Sequence, residues 1–86
     1  MAETIWKFPV DVNPVEMPLG ARIVHFGVQN HVPMVWAIVD PEVSLTRPHR
    51  FVAVGTGHPI PTAATYVGTW HDGPFVWHIF EELTDG

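Results

Sequence analysis

The sequence predicts an all-β protein: a small antiparallel sheet folded into a barrel-like or sandwich domain, with short connections and little or no helix. Three observations carry that expectation. Valine, isoleucine and aromatic residues recur in short runs, the habit of side chains that fit a pleated, half-buried surface. Pro, Gly, Asn and Asp stand between the runs, where chain reversals are made. No segment repeats apolar residues at three-and-four spacing over several turns, and nine prolines punctuate the chain, each lacking the backbone donor that a helix interior needs.

Strands are expected, in order, over Thr4–Phe8, Glu16–Pro18, Arg22–Gln29, Met34–Val39, Arg50–Gly55, Thr65–His71 and Phe75–Glu82. The stretch ARIVHFGVQNHVPMVWAIVDP reads as a hairpin with Asn30-His31 at its turn. That register sets His25 opposite Trp36 and Ile23 opposite Ile38 on one face, with Phe26 opposite Val35 on the other. MVWAIV shows no alternation, as expected of a strand buried on both sides. Pro33 has no N–H to give, so the start of that strand is expected at an edge or a bulge. DPEVSLTRPHR, polar and proline-marked, reads as the longest loop and carries both Arg47 and Arg50. A second hairpin is expected in TYVGTWHDGPFVWHIFE, with Asp72-Gly73 as a type I′ pair because both residues tolerate positive φ. Trp70 then faces Phe75, Gly68 faces Trp77 and Tyr66 faces Ile79, with Trp77 lying over the bare Gly68. Both faces of this hairpin are apolar, so it belongs between two layers or presents one side to another subunit.

The 86 residues make a single domain, 1–86, with the last four residues, LTDG, expected to fray. Without cysteine the chain has neither disulfides nor thiolate metal sites. A net charge of −5 with only Lys7, Arg22, Arg47 and Arg50 as firm cations argues against duplex nucleic acid, which demands many phosphate contacts. Two arginines still suffice for a small anion. No apolar run reaches membrane-spanning length, and MAETIWKF lacks the basic and apolar regions of a signal peptide. The expected setting is the cytosol.

The stretch VGTGHPIP poses the sharpest question. A phosphate-cradling glycine loop opens a helix, but here prolines follow at 59 and 61 and no helical pattern comes after. The plain reading is a strand end, a glycine turn and a stiffened crossover. The functional reading is a ligand-lining loop in which Thr56, Gly57 and His58 offer a hydroxyl, close backbone approach and an imidazole. Six histidines raise the question of a metal, yet no pair has the spacing of a zinc site, so no metal and no cofactor are expected. Ser44 sits in no nucleophile elbow, and His58, His71 and Asp72 have nothing to fix them as acid and base. The expectation is therefore not an enzyme. Trp6, Trp36, Tyr66, Trp70 and Trp77 read mostly as core, while Trp70 and Trp77 on one hairpin face also suit the stacking of a base, with Arg47 and Arg50 at the phosphate end.

VPMVWAIVDPE, RFVAVGTGHPIP and YVGTWHDGPFVWHIFEE together resemble a family of small all-β proteins encoded mainly by bacteriophages and prophages. Its pattern is a W-A-x-V-D-P element, then V-G-T-G-H-P-I, then an aromatic terminal hairpin, spanning about Lys7 to Glu81 here. The resemblance brings no catalytic residues. It implies a phage accessory protein in the host bacterial cytosol, and by analogy with oligomeric sponges it implies sequestration of a nucleotide immune signal. The expected function is thus non-enzymatic binding of a small anionic or nucleotide-like ligand by a homo-oligomer, with Arg47, Arg50, Thr56, Gly57, His58, Trp70 and Trp77 as ligand-binding candidates. The alternatives are an inhibitor or adaptor using an aromatic β-face, and a small nucleotide hydrolase or lyase using histidines.

Overall fold

The computed structural model describes residues 2–83. Of the tail expected to fray, residues 84–86 lie outside the described residues, and the Leu83 N–H bonds to the Ala63 carbonyl at 2.9 Å. Seven strands form: β1 (Thr4–Pro9), β2 (Val15–Pro18), β3 (Arg22–Gln29), β4 (Val32–Val39), β5 (Thr46–Gly55), β6 (Ala64–Asp72) and β7 (Phe75–Glu82). They make two antiparallel sheets, one ordered β1-β4-β3 and the other β2-β5-β7-β6. The sheets do not close into a barrel, so the fold is sandwich-like.

The first hairpin forms as its turn chemistry dictates. Asn30 and His31 have φ of 51° and 67°, both in the left-handed region that a type I′ turn requires, and His25 faces Trp36 while Phe26 faces Val35. Asparagine tolerates that region better than histidine does. His31→Gly is therefore expected to raise stability by about 0.5–1 kcal/mol, read as a higher urea midpoint at unchanged slope. Pro33 sits not on an edge strand but at the start of β4, the central strand. A two-residue hairpin makes Gln29 and Val32 the bonded closing pair, so Pro33 aims at β1, whose ladder ends at Pro9 opposite Met34. Its carbonyl accepts from Val10 at 3.0 Å, and its missing donor is not needed.

Three expectations are corrected. Ile23 faces Ala37 rather than Ile38, because a bulge at Val24 adds one residue to β3 and turns Ile23 inward. The second hairpin turns on Gly73-Pro74 instead of Asp72-Gly73, so Asp72 faces Phe75 and Trp70 faces Trp77. An Asp72-Gly73 loop would make His71 and Pro74 the bonded closing pair, and Pro74 cannot donate. With Gly73 at φ 58° and Pro74 fixed near −65° by its ring, the loop has the sign pattern of a type II′ turn. A second bulge, at Val67, then shifts Tyr66 to face Phe80. Finally, Arg47 and Arg50 are strand residues rather than loop residues. β5 begins at Thr46 because β2 supplies a ladder for residues 46–49, and Pro48 is tolerated because its nitrogen aims at the β7 side, where pairing starts only at Arg50.

The core is aliphatic: Val10, Val15, Met17, Val35 and Ile79, joined among the described residues by one buried ring, Phe51. The tryptophans are not this core. Trp70 only flanks it half-buried, and Trp6 remains 42% exposed. β4 buries Val35, Ala37 and Val39 on its inner face, while Met34, Trp36 and Ile38 stay half-buried on the outer one. Gly68, buried on β6, is covered by Phe26 of the opposite sheet and not by Trp77. A Cβ there would stand 2.4 Å from the Phe26 ring, so the missing side chain is what lets β3 and β6 approach.

Candidate functional site

The chain path of β5 creates an open recess. Its lower half pairs with β2 through residues 46–49, and its upper half pairs only with β7. At Phe51 the vacant edge is closed by Asn13, whose side chain accepts from the Phe51 N–H at 2.8 Å and donates to its carbonyl at 2.7 Å. Because Phe51 aims both groups away from β7, strand alternation aims those of Ala53 the same way. Ala53 is exposed, and neither of its backbone groups has a partner in the ladder.

The edge ends in a turn. The His58 N–H returns to the Gly55 carbonyl at 3.0 Å, with Gly57 at φ 92°, the glycine position of a type II turn. His58 is thereby folded back over Gly55. A Cβ on Gly55 would lie 3.3 Å from the imidazole and 3.6 Å from the Trp77 ring, so this glycine is a bare floor between the two. The result is a groove of about 460 Å³ lined by Val52–Gly55, by the His58–Pro61 segment and by Trp77.

The candidates singled out in the sequence are distributed unequally around it. His58 and Trp77 line the groove. Trp70 stacks on Trp77 with centroids 6.4 Å apart and planes at 30°, but it faces another cleft of about 130 Å³ formed with Val28, His31, His71 and Asp72. Thr56 turns to the opposite face of the sheet, where its hydroxyl meets His78 Nε2 at 2.8 Å. Gly57 serves the turn and stands in open space. Arg47 and Arg50 lie three apart on one strand and so point to opposite faces. Arg50 is five residues from Gly55, about 17 Å along an extended chain. Among the described residues neither guanidinium makes an ion pair.

Two polar groupings escaped the sequence reading. His78 holds both nitrogens in a chain of hydroxyls: Thr56 on Nε2, Thr69 on Nδ1 at 2.9 Å, and Tyr66 on Thr69 at 2.6 Å. Both ring nitrogens are already engaged, which suits a structural tie across β5, β6 and β7 better than proton exchange with a substrate. Deep in the second sheet, His49 Nδ1 and Glu81 Oε2 lie 2.5 Å apart and part-buried, and Glu81 also borders a cleft of about 230 Å³ between the bulges of β3 and β6. Neither grouping is visible from local spacing, since the bulges and the strand order create both. Among the described residues no three ligating side chains converge on a metal position, and no helix is long and apolar enough to cross a membrane.

No curated protein and no solved structure matches the chain. A family model does, over residues 1–85. That span is nearly the whole sequence and includes every strand that builds the groove, so the chain belongs to the family described as Domain of unknown function (DUF7352).

Proposed function

We propose that the protein is a non-catalytic binding protein that captures a small anionic, nucleotide-like ligand and withholds it, as a phage sponge would withhold a host immune signal. The observation that carries this reading is the makeup of the groove. It has the volume of a small-molecule site. One wall is the Trp77 ring, on which a planar base can stack. The floor is bare backbone at Gly55, beside the His58 imidazole. The single titratable side chain lining it is His58. One imidazole without a neighbouring nucleophile or carboxylate supports holding a ligand, not transforming it.

The test is to incubate the protein with cyclic oligonucleotides and ADP-ribose-type nucleotides, remove free ligand, and analyse what heat releases. Intact nucleotide is the expected recovery, and Trp77→Ala should reduce it by about tenfold or more, the loss of a stacking contact. Altered nucleotide would make the protein an enzyme. No retention of any of them would favour a second reading, an adaptor that binds another protein. The outer face of the first sheet favours that reading, because Ile5, Trp36 and Ile38 form an apolar strip there, with Trp36 lying over Gly27.

A further inference from the structure

We propose that two copies of the chain join edge to edge along the upper half of β5. The inference goes beyond the binding reading and rests on backbone geometry alone. The open window on β5 presents three unpaired groups: the Ala53 N–H, the Ala53 carbonyl and the Gly55 N–H. The Gly55 carbonyl takes one bond from His58 and keeps a second lone pair. In an antiparallel bonded pair two residues exchange both their N–H···O bonds. A two-fold axis at Val54 therefore sets Ala53 against the partner's Gly55 and Gly55 against the partner's Ala53. Four bonds form and every free group is used.

The neighbouring register is poorer. An axis at Ala53 would aim the partner's Gly55 N–H at Phe51, whose two groups already serve Asn13. The ends of the window also fit the Val54 axis. The partner's chain turns away at Thr56–Gly57, at the level of Phe51, where Asn13 occupies the edge. No bulge interrupts this stretch, and Ile60, 59% exposed, stands beside it to add apolar contact.

The register also sorts the faces. Arg50 stands six residues before Thr56 on an unbulged strand, so it points with Thr56 to the face opposite the groove, and the dimer adds no cation to the groove.

Sedimentation tests the dimer without any ligand. At tens of micromolar the expected mass is twice the 9.6 kDa of the chain, and the Ala53 and Gly55 amides should exchange ~10-fold or more slowly than in dilute protein. Ala53→Pro removes a donor that no internal bond uses and should give a monomer that melts as the parent does. Ala53→Lys, which leaves the backbone intact and charges the edge, should do the same if the proline variant folds poorly. A parent protein that stays at the monomer mass, or a dimer that survives Ala53→Lys, overturns the proposal. An intact dimer that retains no nucleotide would strike the binding reading alone.

Discussion

Replacing Gly68 with alanine is expected to lower the melting temperature by roughly 10–20 °C, the equivalent of about 2–3 kcal/mol in a domain of this size. Two effects compete. Gly68 has an ordinary strand conformation, outside the left-handed set, so alanine stiffens the unfolded chain and by itself contributes about 0.4–1 kcal/mol of stability. Against that stands a Cβ placed 2.4, 2.5 and 2.7 Å from three atoms of Phe26, which forces the sheets apart or drives Phe26 from its rotamer. Overpacking of a close-packed interior wins. Phe26 also packs on Trp70, with centroids 5.8 Å apart, so its displacement reaches the second sheet. The check is a double-mutant cycle with Phe26→Ala. The alanine at 68 should cost little once the ring is gone, leaving a coupling of about 1 kcal/mol or more. Additive effects would show that Phe26 is not what Gly68 makes room for.

Asn13→Ala is the second large effect, a loss of about 2–3 kcal/mol. One side chain satisfies both backbone groups of Phe51, a residue only 4% exposed, and each group left dry costs about 1–3 kcal/mol. Asn13→Asp should not rescue it, since a carboxylate keeps the acceptor, loses the donor and faces the Phe51 carbonyl. Denaturant midpoints measure the loss, and faster exchange at the Phe51 amide locates it. A change under about 0.5 kcal/mol, the scale of an ordinary surface substitution, would mean that water replaces the amide at no cost.

What could be read in advance follows from how local each constraint is. The Asn30-His31 turn needs only its own two residues and their tolerance of positive φ, so the first hairpin is legible. The Asp72-Gly73 signal is just as local, but it competes with the missing donor of Pro74, and that stronger prohibition sets the loop one residue later. The start of β5 is hidden because Pro48 reads as a loop residue until β2 and β7 are known to lie on opposite sides of it. No spacing rule announces an extra residue at Val24 or Val67. For the site, His58 was visible as a residue of a glycine turn, yet its place beside Trp77 depends on the pairing of Gly55 with Trp77, which links two strands more than twenty positions apart. The tie of His78 to Thr56 and Thr69 depends on the same long-range register.

The bulges at Val24 and Val67 have a consequence for colloidal behaviour. β3 and β6 are the terminal strands of their sheets on the flank where the sheets meet, and each bulge breaks the regular run of outward N–H and C=O groups. A uniform edge is a template for open-ended stacking of chains into fibrils, and a kinked one is not. The upper half of β5 carries no such kink, but Asn13 and the Gly55–His58 turn keep its open stretch too short to template a long ladder. The molecule is thus guarded against polymerisation along β3 and β6, while one brief stretch of the β5 edge stays receptive to a finite, self-closing contact.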